Sequence, residues 1–155
     1  MSAAVIVALR VGATPEAAFA AFSGEIGRWW KSHPLFPLSP KGDGTLRFDP
    51  AGPDGRLVTR FDDGEEWEIG RVRHWLPGER LAFEWRLPSF AEDQATEVDV
   101  RFEALGAETR VTVEHRGWDA IPQKHVARHG FELMLFQRRL SEHWRGLLAH
   151  LGAAL

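Results

Sequence analysis

Two polar residues stand where an apolar one is expected, and they are the first candidates for chemistry. His115 ends the alternation Val111, Val113, His115, which sends it to the same face as the valines, beside Trp118. An imidazole of ordinary pKa suits acid–base work, although a histidine on an apolar face is more often a hydrogen-bonded core residue. Gln137 falls on a helical stripe between Leu133 and Leu140, and a buried amide has to find a partner in the protein or in a ligand. His125 and His129 lie four apart, the spacing of two metal ligands on one helix face. No third ligand accompanies them, no glutamate of a zinc-protease helix lies between them, and Arg128 disfavours a cation, so no metal site is expected. Asp62-Asp63-Gly64-Glu65-Glu66 gathers four carboxylates, but Asp63-Gly64 is a tight-turn signal and the group reads as a solvated hairpin. His33, His74, His143 and His150 are scattered and read as exposed.

Several classes of function are disfavoured. The chain has no cysteine, which removes disulfides, thiolate metal sites and a cysteine nucleophile. It has no Gly-x-Ser-x-Gly elbow and no glycine-rich phosphate loop. No catalytic residue is assigned, no cofactor is expected, and an enzyme is the less favoured reading. With 19 basic and 22 acidic residues spread along the chain, nothing recommends nucleic acid as a partner. No run reaches the ~18 apolar residues of a membrane span. The start, Met1 to Val7, lacks the basic region of a secretion signal, so a cytoplasmic location is expected. The unusual feature is aromatic: seven Trp and ten Phe without a single Tyr imply a bulky interior poor in hydroxyl groups.

The elements that must position these side chains can be read in order. Ala3 to Val11 reads as a strand. Thr14-Pro15-Glu16 reads as a helix start with Thr14 as N-cap, and Phe19 and Phe22 mark its buried side. Ser23-Gly24-Glu25 breaks it and opens a second short helix ending at Trp29-Trp30. Lys31 to Asp43, with three prolines and a glycine, reads as a loop where a lid could sit. Turn residues then recur at short intervals and leave six strands: Thr45–Phe48, Arg56–Phe61, Glu65–Trp75, Arg80–Leu87, Ala95–Leu105 and Glu108–Trp118. Leu81/Phe83/Trp85/Leu87, Val98/Val100/Phe102 and Val111/Val113/His115 each line one face, with charged residues opposite. The last element is a long helix within Pro122 to Leu151, its stripe given by Val126, Leu133, Leu140, Trp144, Leu147 and Leu151. Gly130 interrupts that pattern and leaves 119–130 open between helix and loop. The expected fold is α+β: a curved antiparallel sheet of about seven strands around a long C-terminal helix, with two short helices after the first strand, in one domain spanning 1–155. This is the helix-grip arrangement.

Thr14-Pro15-Glu16 to Phe19, Trp29-Trp30, Gly70-Arg71-Val72, Pro77-Gly78-Glu79-Arg80-Leu81-Ala82-Phe83-Glu84-Trp85, Thr109 to His115, and Trp144 with Leu148 and Leu151, together resemble the family named after the activator of the heat-shock protein 90 ATPase, within the START-like (SRPBCC) superfamily. The resemblance covers nearly the whole chain. It implies an apolar cavity between sheet and last helix, which START-like relatives use for lipids, hormones or polyketides. A small hydrophobic molecule, lipid-like or aromatic, is therefore the expected partner. The candidate lining is Trp30, Phe48, Phe61, Trp67, Phe83, Trp85, Trp118, Leu133 and Leu140, with His115 and Gln137 for polar recognition. Adjacent residues on a helix point about 100° apart, so Trp29 and Trp30 cannot share one core and one of them is a candidate gate. Two alternatives follow from the same resemblance. One is a co-chaperone-like partner of heat-shock protein 90, although the chain has no room for the extra N-terminal domain of the eukaryotic co-chaperone. The other is a polyketide cyclase or dehydratase using His115.

Overall fold

The computed structural model describes residues 4–155, and Ala3, the expected first residue of the opening strand, lies outside them. The elements are β1 (Ala4–Val11), α1 (Pro15–Gly24), α2 (Ile26–Trp29), β2 (Thr45–Phe48), β3 (Arg56–Arg60), β4 (Glu66–Leu76), β5 (Arg80–Trp85), β6 (Thr96–Leu105), β7 (Glu108–Arg116) and α3 (Leu133–Ala153). Thr14 caps α1 as its sequence implies: its hydroxyl accepts from the Ala17 amide at 3.1 Å and Pro15 occupies the first turn. The seven strands form one antiparallel sheet in the order β1-β7-β6-β5-β4-β3-β2. β1 crosses over to pair with β7 in unbroken register from Ala4↔Arg116 to Val11↔Thr109. The rest is a meander, and α3 lies across the concave face.

Burial follows the pleat. Leu81, Phe83, Trp85, Val98, Val100, Phe102, Val111, Val113 and His115 are all buried. Most of the outer face carries the cross-strand ion pairs that its charges imply, such as Arg116–Glu97 at 2.9 Å and Arg73–Glu84. Asp99 departs from the solvated pattern, being buried under the arginines above it. Arg80 grips both of its oxygens, at 3.0 and 2.7 Å. Burial pushes its pKa up, but the Arg80 hydrogen bonds and the charges of Arg80 and Arg101, with a further hydrogen bond from Arg116, outweigh burial and hold it below the usual carboxylate range.

Beyond shifts of one or two residues at the ends of β3, β4, β5 and β6, two boundaries differ from the sequence reading. The last strand ends at Arg116, because Gly117 at φ 104° turns the chain, so Trp118 stands in a 3₁₀ turn and not in the strand. The long helix begins at Leu133, eleven residues after Pro122. His129 at φ 53° and Gly130 at φ 74° both occupy the left-handed region, and two such residues in a row cannot belong to a right-handed helix. Val126, which matched the stripe by spacing, is therefore exposed. The helix buries Phe136, Leu140, Trp144, Leu147, Leu148 and Leu151.

The sheet curls where β4 passes from β3 to β5. Leu57 pairs with Gly70 but Val58 with Glu68, so Ile69 is the extra residue of a bulge that bends the strand. A Cβ at Gly70 would collide with the Glu84 carbonyl oxygen. Gly70→Ala is expected to cost about 2 kcal/mol, a loss of about 4–8 °C in Tm by thermal denaturation, because the obstacle is backbone and cannot rotate away.

Candidate functional site

His115 reaches the interior through β7 and meets two partners there. The Trp144 indole N–H of α3 donates to His115 Nδ1 at 3.2 Å, which makes Nδ1 the acceptor and places the ring proton on Nε2. That Nε2–H donates to the Thr96 hydroxyl at 2.8 Å, and the hydroxyl donates onward to the Trp85 carbonyl at 2.9 Å. All four groups lie in buried residues. Burial, with a smaller contribution from the charge of nearby His143, pushes the His115 pKa down to about 3. Both nitrogens are occupied and the ring is neutral, so His115 is a structural link from helix to sheet and has no free atom for proton transfer.

Around this link the predicted aromatic residues pack on one another. Trp30, just past the end of α2, sets its ring 5.3 Å from Trp85 and 5.5 Å from Trp144. Trp29 packs on Phe22 at 4.9 Å and on Trp30 itself at 5.7 Å, so the adjacent rings share one core after all, and its indole donates to the Ala21 carbonyl at 3.2 Å. Trp118 lies 5.5 Å from His115 and 4.6 Å from Phe136. Phe83 and Phe48 pair at 5.4 Å under the opposite half of the sheet, Trp67 is half-buried near that end, and Phe61 sits beneath the Lys41 ammonium at 4.8 Å. The structure thus splits the candidates. Trp30, Trp85, His115, Trp118 and Leu140 gather beneath α3, whereas Phe48, Phe61, Trp67 and Phe83 lie toward the β2–β4 end. Gln137 and Leu133 are half-buried at the side of the helix stripe, so the Gln137 amide is not the fully buried group its spacing implied.

An open apolar cleft of about 300 Å³ sits at the rim beside the start of α3, where three loops meet. Leu35 and Pro37 form one wall, Leu87 and Pro88 the second, and Ala127 and His129 the third. The loop from Lys31 to Asp43 is tied down: Phe36 and Leu38 are buried, and Lys41 bridges Asp63 and Glu65 at 2.8 and 2.7 Å. His125 and His129 do not share a helix face. Each pins the third wall to a neighbour, His125 Nε2 donating to the Ser89 carbonyl at 3.1 Å and His129 Nε2 to the Leu35 carbonyl at 2.6 Å. Sequence spacing could not reveal this, because it presupposes a helix that the left-handed residues forbid. Phe36, Phe136 and Arg128 also escaped notice as site residues. Only Phe136 carried a signal, four residues before Leu140 on the same face.

A second cleft, of about 240 Å³, is polar and holds His33, His143 and His150. His143 is not exposed as its scatter suggested, since its ring stacks on Phe36 at 5.1 Å and meets His33 at 4.9 Å. Among the described residues no group of three or more His, Cys, Asp or Glu could hold a metal ion. Among the described residues no helix is long and apolar enough to cross a membrane.

A family-model match described as Activator of Hsp90 ATPase homolog 1-like protein covers residues 12–145. The chain belongs to that family. No curated protein matches the sequence. Among solved structures, the Aha1 dimer from Colwellia psychrerythraea is 18% identical with a TM-score of 0.66, covering 99% of this chain and 96% of that one. PFC0360w, an HSP90 activator from Plasmodium falciparum, is 15% identical with a TM-score of 0.65, covering 97% and 94%. An anthrahydroquino-Gama-pyrone synthase, Txn09, complexed with SUM, is 28% identical with a TM-score of 0.58, covering 98% and 96%.

The buried histidines predict acid sensitivity. Burial holds the pKa of His143 down to about 4, below the 6.5 of a free imidazole, and that of His115 lower still. The unfolded chain therefore binds more protons than the folded one between about pH 3 and 6.5, and stability must fall as pH falls through that window. The slope should approach about 1.4 kcal/mol per pH unit for each histidine. Urea titrations at pH 6, 5 and 4 should show it, and His143→Gln should remove close to half of the slope above pH 4.5.

Proposed function

We propose that this protein binds a small, flat, hydrophobic molecule at the rim of the helix–sheet sandwich, entering by the cleft between Leu35, Leu87 and Ala127 and resting against the aromatic wall behind it. The observation that carries this reading is that apolar cleft, whose volume lies at the lower end of the range for small-molecule sites. Its setting supports the reading, because Phe36, which alternates with the wall residues Leu35 and Pro37, packs on Phe136 and through it on Trp118, an aromatic layer without hydroxyl groups. The likeness to Txn09, whose name specifies a fused-ring pyrone product, favours a polycyclic aromatic ligand over an acyl chain. His115 argues for binding over acid–base catalysis, since both its nitrogens are engaged within the fold. The likeness to the HSP90 activator PFC0360w lies at 15% identity and speaks for a shared fold alone, so it lends a chaperone partner no support.

A thermal-shift panel of anthraquinones, flavonoids, sterols and fatty acids tests the reading. At a hundred times its Kd a ligand should add about 2.7 kcal/mol, a rise of about 5–10 °C. Ser89 is exposed on the second wall, so Ser89→Trp should fill the cleft without disturbing the core and abolish the shift. No shift with any compound, or an unchanged shift in Ser89→Trp, would count against the cleft.

A further inference from the structure

Behind the walls of the cleft lies a layer made by residues that alternate with them along the chain. Leu35 and Pro37 face the cleft while Phe36 between them turns inward; Ala127 and His129 face it while Arg128 between them turns inward. Both inward side chains converge on Phe136. The Phe36 ring lies 5.8 Å from that of Phe136, and the Arg128 guanidinium lies over the same ring at 5.5 Å. Arg128 is 96% buried, with a relative exposure of 4%. Among the described residues no carboxylate pairs with it. Its Nη1 donates to the Ile121 carbonyl at 2.9 Å and its Nη2 to the Phe131 carbonyl at 2.7 Å, which uses two of the five N–H donors of a guanidinium. Its Nε is buried with no acceptor. On Phe136 too lies Trp118, fully buried, whose indole Nε1 is a second donor without an acceptor.

Orphaned buried donors are uncommon, and a buried cation without a counter-ion is costly because carbonyls and a ring face replace only part of its hydration. Here two such groups share one aromatic ring directly behind an apolar cleft. A ligand oxygen, and above all an anionic one, is the acceptor that such donors lack. We propose that the ligand of this cleft is an aromatic carboxylic acid whose rings occupy the apolar walls and whose carboxylate is received by Arg128, with the Trp118 indole N–H as second donor. The proposal rests on the binding reading above and names its ligand class. Arginine suits the task because its planar fork matches a carboxylate and stays charged when buried.

The experiment is isothermal titration of the full chain at pH 7.5 with anthraquinone-2-carboxylate and with the uncharged anthraquinone-2-carboxamide. The acid should bind at least tenfold more tightly than the amide. Arg128→Gln should bring the two to parity, the acid losing at least tenfold more affinity than the amide, while Arg128→Lys, which keeps the charge, should retain part of the preference. Equal affinities in the wild type would overturn this inference and leave the binding function standing. A preference that survives in Arg128→Gln would overturn the role of Arg128. Should both anthraquinones fail to bind, the inference falls, and the binding function falls with it only if the thermal-shift panel is also blank. Arg128 also braces the 121–131 loop, so Arg128→Gln has to be checked by circular dichroism. If it does not fold, the wild-type comparison still decides.

Discussion

The fold depends on one buried chain of hydrogen bonds that fastens α3 to the sheet: Trp144 to His115, His115 to Thr96, Thr96 to the Trp85 carbonyl. Apolar burial alone would hold a helix against a curved sheet, but it is non-directional and would tolerate rotation or sliding of α3. The hydrogen bonds remove that freedom. A slip of α3 by one residue would strand the Trp144 indole and the His115 ring without partners, at about 1–3 kcal/mol for each orphaned group. Once Trp144 is fixed, Trp30 has a face to pack against, and the end of α2 is fixed with it. The loop from Lys31 then descends into place, with Phe36 reaching Phe136 and His143.

Much of the architecture was legible because it rests on local rules. Strand alternation placed Phe83, Trp85, Val98, Val113 and His115 inward without error, and turn residues gave the meander, since both depend only on neighbours along the chain. The crossing of β1 to β7 joins residues from the two ends of the chain, and local rules do not reach it. The helix start was misplaced because a seven-residue step from Val126 to Leu133 counts as periodicity whether or not the backbone between them is helical. His129 in the left-handed region lay beyond the reach of pattern, since histidine adopts it only where tertiary contacts compensate, here the bond to the Leu35 carbonyl.

The candidate site was legible in type and less so in place. An excess of Trp and Phe announces an aromatic interior, yet a filled core and a pocket wall have the same composition, and only tertiary structure shows which rings meet one another and which meet open space. Trp30, Trp85 and Trp118 proved to be neighbours, whereas Phe48 and Phe83 belong to a separate end of the sheet. Arg128 left no mark in the sequence, because an arginine among loop residues is ordinarily solvated and nothing local shows that this one turns inward.

Satisfaction of buried polar groups separates framework from site. His115 looked like the most chemical residue in the chain, and it is the most thoroughly engaged, with each nitrogen matched and its pKa lowered so that it stays neutral. Trp118 and Arg128 carry less obvious chemistry, and each, like Arg86, is left with a donor that no acceptor in the described structure meets. A protein can retain such donors at a loss of stability only where something else is gained, because replacing them with apolar groups of similar shape is often neutral or stabilising. That two of them share the ring of Phe136, one layer behind the apolar cleft, is hard to account for by packing alone. The same rule that reads His115 as structure therefore reads the layer behind the cleft as a place prepared for an acceptor.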